Sequence, residues 1–262
     1  MSEIFILPDG KKIEYKIYGN ENGYPIVGCH GLAGSVFADG ADELLAEASI
    51  KYILIARPGY GRSDFFQMET IAEWPKIISP LLKFLNIEAF DVVGISAGAP
   101  YAYATAATFP DKVNNVFINK GLGAIYKQEV LSLYSDTALQ EILVYQTESL
   151  ENIADLLYQT YLSQLSDEYK QLPYIRDSMM GGCMGMAACA KLEFKDWGFS
   201  IEGVEQPVLL YHCRDDQEVP LAMAEKTMGY LRNAEMVAHD AGGHMSEQLM
   251  LDMMNRIISI YK

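Results

Sequence analysis

A serine flanked by two glycines is the first feature of this chain that suggests chemistry. Residues 94–98 (GISAG) follow the apolar run 90–93 and precede a predicted helix over 100–109. A Gly-x-Ser-x-Gly stretch between a strand and a helix is typical of a nucleophile elbow, whose sharp turn holds the hydroxyl out into solvent. Backbone N–H groups and the positive end of the helix dipole then face any developing oxyanion. The pattern predicts that Ser96 is a nucleophile.

Two later segments supply the partners that such a serine needs. A serine hydroxyl requires a base to take its proton, and the base requires a carboxylate to hold its tautomer. Residues 207–212 read as a short buried strand that leads into Asp215 and Asp216, and the apolar run 234–238 leads into a glycine-containing loop with His244. The order Ser96, Asp216, His244 therefore predicts a catalytic triad of nucleophile, acid and base.

With these motifs in this order, the chain resembles the α/β-hydrolase superfamily over nearly its whole length. The HG pair at 30–31 is similar to the family's oxyanion loop, and residues 57–64 (RPGYGRSD) are similar to its turn after the fourth strand. Residues 197–199 (WGF) and 242–244 (GGH) are similar to the approach to the acid and to the histidine loop. The resemblance implies an α/β fold with a mostly parallel, eight-stranded sheet flanked by helices, an inserted helical cap, and no metal or organic cofactor.

The resemblance also implies roles for individual residues. The spacing from Asp216 to Pro220 fits the family's acid loop, which favours Asp216 over Asp215 as the acid. Asp215 would then be a solvated loop residue or a turn former. The backbone N–H groups of Leu32 and Ala97 are expected to form the oxyanion hole.

Two positions depart from the family's pattern, and three histidines are left over. Ala56 stands where an acidic residue often precedes the Arg-Pro-Gly turn, and Cys213 stands where glycine often precedes the acid loop. The second departure is expected to alter the backbone of the acid loop. The remaining histidines are interpreted as structural residues of loops and strand ends: His30, His212 and His239.

Strands alternate with helices along most of the chain, which predicts a mostly parallel sheet covered on both faces. Strands are predicted near 4–7, 13–18, 26–29, 52–55 and 113–119, and helices near 39–48 and 71–85. The alternation stops between about 120 and 200, where 149–165 has helical spacing and tyrosine and methionine are frequent. We expect a hydrolase core of 1–120 and 200–262 and a helical cap of 121–199.

Composition limits the classes of partner. The formal net charge of −15 argues against binding of nucleic acids or anionic membranes. No apolar run reaches the roughly 18 residues of a membrane helix, and the first residues lack the pattern of a signal peptide. The four cysteines form no Cys-x-x-Cys pair. These features favour a cytoplasmic protein with a small-molecule substrate, and they leave the oligomeric state open.

The expected function is that of a serine hydrolase that cleaves a small, largely apolar carboxylic ester through an acyl-enzyme. Within enzymes, the alternatives are an iminopeptidase-type aminopeptidase, which the region of Trp197 also resembles, and a carbon–carbon hydrolase with the same triad. A receptor-like binding protein on the same fold is an alternative of another class, because a fold does not fix a function.

Overall fold

Eight strands form a single mixed sheet in the computed structural model, which describes residues 1–261. The strands are β1 (Glu3–Ile6), β2 (Lys12–Gly19), β3 (Tyr24–Cys29), β4 (Ile50–Ile55), β5 (Phe90–Ile95), β6 (Val113–Asn119), β7 (Val208–Cys213) and β8 (Ala234–His239). Their order across the sheet is β1-β2-β4-β3-β5-β6-β7-β8. β2 pairs antiparallel with β1 and β4, and every later pair is parallel. The predicted eight-stranded, mostly parallel sheet is confirmed.

Helices cover both faces of this sheet, and more of them follow β6. The α-helices are α1 (Ala41–Leu44), α2 (Trp74–Phe84), α3 (Ala99–Thr108), α4 (Gln128–Leu131), α5 (Asp136–Thr147), α6 (Leu150–Gln164), α7 (Asp167–Lys170), α8 (Pro173–Met179), α9 (Met184–Glu193), α10 (Leu221–Met228) and α11 (Glu247–Ile260). The central strands are apolar along nearly their whole length because both faces are buried. The carboxyl ends of the parallel strands meet at one edge, and this edge carries the loops described below.

The helix predicted over 39–48 is wrong in length. The structure has a single helical turn, α1, which starts after Gly40 and ends at Leu45. Leu45 is fully buried, and the chain must turn back there so that Ser49 and Ile50 can accept hydrogen bonds from Tyr24 and Asn20. The requirement to enter β4 outweighs the helix propensity of the Leu, Ala and Glu residues in this segment.

The residues between β6 and β7 are helical, as the loss of strand–helix alternation predicts. The predicted helix over 149–165 is α6, whose first turn is capped by the Ser149 side chain, which accepts a hydrogen bond from the Asn152 N–H. Helix α6 packs against α9, and α9 packs against the turn that contains Ser96. The helical insert therefore packs against the edge of the sheet that carries Ser96. Across residues 1–261, no helix combines the length and the apolar character that crossing a membrane requires.

Candidate active site

Ser96 occupies a strained backbone position directly after β5. Its φ is +51°, in the left-handed region that residues other than glycine rarely adopt. The turn 96–98 continues into α3, so the serine lies at the amino end of this helix. The geometry is that of the predicted strand–turn–helix elbow.

The two glycines of the elbow are required by close backbone contacts. A Cβ atom at Gly98 would lie 2.1 Å from the carbonyl oxygen of Cys29 and 2.6 Å from that of His30. A Cβ atom at Gly94 would lie 2.8 Å from Cα of Ala99. Side chains at either position would push the elbow away from β3 and α3. The glycines therefore allow the turn of Ser96 to pack against the loop that follows β3.

The structure brings the three predicted triad residues into one hydrogen-bonded chain. Oγ of Ser96 lies 2.8 Å from Nε2 of His244, and Nδ1 of His244 lies 2.8 Å from Oδ2 of Asp216. Because a carboxylate only accepts hydrogen bonds, Nδ1 carries the proton and Nε2 is left to accept the serine proton. The His244 side chain is only 9% exposed, so the pair is largely shielded from water.

Asp216 is held as an ionised acid at the end of β7. Its Oδ1 accepts hydrogen bonds from the backbone N–H groups of Glu218 at 3.0 Å and Val219 at 2.9 Å. Burial opposes ionisation, but the hydrogen bonds from His244 and from the Val219 N–H outweigh it and lower the pKa of Asp216. His212, the predicted structural histidine, donates from Nε2 to the carbonyl oxygen of Val219 at 2.7 Å and so supports the same loop.

Asp215 binds the backbone of the loop that carries His244, whereas Asp216 contacts His244 itself. The two carboxylate oxygens of Asp215 accept the N–H groups of Gly242 at 3.1 Å and Gly243 at 2.8 Å, the two residues before His244. These hydrogen bonds lower the pKa of the exposed Asp215 side chain. Asp215 is thus an exposed loop residue whose carboxylate links the acid loop to the histidine loop.

Arg57 fixes the loop that follows β3. Its guanidinium donates to the carbonyl oxygen of His30 and, from Nη2 at 2.7 Å, to that of Gly31. The C=O and N–H of one trans peptide unit point in opposite directions, so the Leu32 N–H points away from Arg57. A Cβ atom at Gly31 would lie 3.5 Å from Cβ of Ser96, which shows how closely this loop passes the serine. Ala97, the other predicted oxyanion donor, is buried in the elbow.

His30 is an uncharged structural residue of the same loop. Its Nε2 accepts the Arg57 N–H at 3.2 Å, and its Nδ1 lies 2.9 Å from the carbonyl oxygen of Gly31. Nε2 is thus the acceptor and Nδ1 the donor. Burial and the neighbouring Arg57 charge hold the pKa of His30 well below its ordinary value. His239 lies elsewhere, 3.0 Å from the Asp252 carboxylate.

Two charged residues beside the triad were not predicted from the sequence. Lys120, after β6, is 6% exposed, and its Nζ donates at 3.0 Å to the carbonyl oxygen of Ser246, two residues after His244. Burial lowers its pKa. Glu218 places its Oε2 3.8 Å from Nε2 of His244. The position of Lys120 directly after a largely apolar strand could have indicated that this residue lies near the site. Nothing in the local sequence distinguishes Glu218.

Comparison with known proteins identifies the family to which this chain belongs. Residues 24–246 match the family described as alpha/beta hydrolase fold. The chain belongs to the α/β-hydrolase family, as the resemblance in the sequence implied.

Its relatives are distant hydrolases. An uncharacterized hydrolase, YcgS, of Bacillus subtilis is 24% identical over 90% of this chain and 89% of its own length. A 2-hydroxy-6-oxononadienedioate/2-hydroxy-6-oxononatrienedioate hydrolase of Paraburkholderia phymatum is 25% identical over 82% of this chain and 77% of its own. The solved structure of an esterase from Exiguobacterium antarcticum superposes with a TM-score of 0.69 at 18% identity, over 100% of this chain and 99% of its own. The last likeness is one of fold alone.

Proposed function

We propose that this protein is a serine hydrolase that cleaves a small, largely apolar carboxylic ester through an acyl-enzyme. The observation that carries the proposal is the continuous hydrogen-bonded chain from Ser96 through His244 to Asp216. Such a chain supplies what ester hydrolysis requires, which is a nucleophile, a base of fixed tautomer and a buried carboxylate that stabilises the imidazolium.

The proposed reaction has two halves. Ser96 Oγ attacks the carbonyl carbon while His244 Nε2 takes its proton, and the N–H groups of Leu32 and Ala97 donate to the oxyanion. The imidazolium then protonates the alcohol oxygen, which leaves. Water attacks the acyl-enzyme with His244 as base again, and the proton returns to Ser96 as the acid is released. Arg57 binds the carbonyl oxygens of His30 and Gly31 and so holds the loop that carries the Leu32 N–H. A donor fixed in this way needs no reorientation as charge develops.

We further propose the predicted division into a hydrolase core of 1–120 and 200–262 and a cap of 121–199 that decides substrate choice. Supporting it is the contact between α9 and the serine turn. The helical segment also contributes apolar and aromatic side chains that pack as partly buried residues, among them Tyr134, Tyr161 and Met184. In the proposal these side chains line the acyl pocket, and an apolar lining suits an acyl chain without charge.

Carbon–carbon bond hydrolysis is the second candidate, because several relatives are named as hydrolases of this kind, including that of Paraburkholderia phymatum. Its named substrate is a dioate, which requires cationic groups to hold carboxylates. Two buried cations beside the site of this chain, Arg57 and Lys120, are already bound to backbone carbonyls. The Glu218 carboxylate, an anion, lies 3.8 Å from Nε2 of His244. These features favour an ester without carboxylates.

A substrate panel tests the proposal. The purified protein would be assayed with p-nitrophenyl esters from acetate to octanoate, with proline and alanine p-nitroanilides, and with a 2-hydroxy-6-oxo-dienoate. We expect ester hydrolysis that Ser96→Ala abolishes, with little turnover of the other two classes. Preferred cleavage of the anilides would favour the aminopeptidase, and preferred cleavage of the dienoate the carbon–carbon hydrolase. Binding without turnover of any class would indicate the receptor-like alternative.

A further inference from the structure

Glu218 is an exposed carboxylate beside the base of the candidate site. The N–H groups of Glu218 and Val219 are both bound to Asp216, so the backbone here is fixed. Val219 is buried, whereas the Glu218 side chain is 68% exposed and carries its Oε2 to 3.8 Å from Nε2 of His244. Within residues 1–261, no lysine or arginine forms an ion pair with Glu218. Its charge is therefore available to a bound molecule.

The position of Glu218 relative to His244 determines which part of a bound ester lies beside the Glu218 carboxylate. In the proposed reaction, Nε2 of His244 must come within hydrogen-bond distance of the alcohol oxygen to protonate it. Nε2 is the ring nitrogen beside which Glu218 lies, since Nδ1 is occupied by Asp216. The alcohol portion of the ester, rather than the acyl chain, is therefore the portion adjacent to the Glu218 carboxylate.

The charge of Glu218 contributes to the raised pKa values of two tyrosines of the helical segment. Tyr134 and Tyr161 are both partly buried. Burial is the main cause of the raised pKa of each phenol, and the negative charge of Glu218 contributes to both shifts. A carboxylate that has no cationic partner attracts an ammonium group through opposite charge.

We propose that Glu218 forms a cation-binding subsite beside the leaving-group position, and that the preferred substrate is an ester whose alcohol portion carries an ammonium group. This proposal rests on the proposed ester hydrolysis and names its substrate class. The net charge of −15 attracts cations at long range, and assays at about 0.15 M ionic strength screen this attraction so that the local effect of Glu218 is measured.

Three butyrate esters test the subsite, of which the cationic and the neutral ester are matched in size. They are the 2-(trimethylammonio)ethyl ester, its uncharged isostere the 3,3-dimethylbutyl ester, and the 2-carboxyethyl ester, with the quaternary nitrogen chosen because it cannot capture the acyl group. We expect kcat/KM of the cationic ester to exceed that of the neutral ester by about two- to fivefold, with the anionic ester the poorest. Glu218→Gln should bring the cationic-to-neutral ratio to about one.

A matched control separates the subsite from net charge. Glu235→Gln removes the same charge from an exposed residue near the amino end of β8, away from the catalytic edge, and should keep the wild-type ratio. A ratio near one in the wild type, a ratio that survives Glu218→Gln, or an equal loss in both variants would overturn the subsite.

Failure of the ester hydrolysis itself is recognised separately. It would appear as no turnover of the neutral ester or of p-nitrophenyl butyrate. The subsite is then tested by binding alone, with choline and 3,3-dimethylbutan-1-ol titrated into the protein and followed by ligand NMR. Tighter binding of choline that Glu218→Gln removes would support the subsite, and equal binding of the two alcohols would overturn it.

Discussion

The reactivity expected of Ser96 comes from its surroundings, because an isolated serine hydroxyl is a poor nucleophile. The elbow holds the residue at φ +51°, and the partner 148 positions away lies within 2.8 Å of its oxygen. The carboxylate of Asp216 then determines which nitrogen of His244 is free. The two neighbouring acids make different contacts. The Asp216 side chain contacts His244, whereas the Asp215 side chain contacts only backbone N–H groups of the two residues before His244.

Substitution of each acid tests the proposal that Asp216, and not Asp215, is the acid of the triad. Asp216→Asn should lower kcat by about 10⁴-fold, because an amide favours the wrong tautomer of the base. Asp215→Asn keeps an acceptor oxygen for one of its two N–H partners and should stay within about tenfold of wild type. Steady-state kinetics on p-nitrophenyl butyrate would measure both. If the two effects were reversed, Asp215 would be the acid.

We predict that Lys120 positions the loop that carries His244, because its Nζ binds the Ser246 carbonyl oxygen. Lys120→Met removes the hydrogen bond to the Ser246 carbonyl, and we expect kcat to fall by about tenfold with little change in KM, because small displacements of a catalytic group are costly. The melting temperature should not fall in parallel, since methionine removes a buried charge. A merely structural lysine would instead lose stability while kcat per folded molecule stayed constant.

At the scale of elements, local patterns predicted much of the architecture. The strands and α6 follow from periodicity and caps, and the triad follows from the order of three local motifs. The helix over 39–48 was wrong because the start of β4, set by its neighbours in the sheet, cuts it short. The contacts of Arg57 with the β3 loop, and of Lys120 with Ser246, join residues 26 to 126 positions apart. Such contacts depend on the completed sheet, so the sequence alone did not reveal them.

The position of α9 gives a prediction about substrate length. Met184 begins this helix and is partly buried, whereas Met180 in the preceding turn is 41% exposed. Met184→Trp should shift preference among p-nitrophenyl ester lengths by tens-fold, because each methylene in an apolar pocket contributes roughly 1–3 kcal/mol. Met180→Trp is the matched control and should leave the profile unchanged. Identical profiles for both variants and the wild type would place Met184 outside the pocket.

At the scale of the whole molecule, stability should depend on a buried acid at the end of α9. Glu193 is 5% exposed and accepts a hydrogen bond from Sγ of Cys189 at 3.3 Å. Burial raises its pKa from 4.5 to about 7. Above pH 4.5 the unfolded chain loses this proton while the folded protein keeps it, so the contribution is present below pH 4.5 and is lost as the pH rises to about 7.

Urea unfolding between pH 4.5 and 7.5 measures this dependence. Relative to Glu193→Gln, the wild type should lose on the order of 3 kcal/mol of unfolding free energy across this range. Glu235→Gln serves as the exposed control and should follow the wild type. A wild-type curve parallel to that of Glu193→Gln would mean that Glu193 titrates normally in the folded state.

Covalent labelling by a fluorophosphonate probe tests the central claim most directly, because it reports an activated serine without knowledge of the substrate. Mass spectrometry of the digested protein should place the label on the peptide of the elbow, at Ser96. Ser96→Ala should abolish labelling, and His244→Ala should slow it strongly while the protein stays folded. Labelling of Ser96→Ala at the wild-type rate would contradict the assignment of Ser96 as the nucleophile.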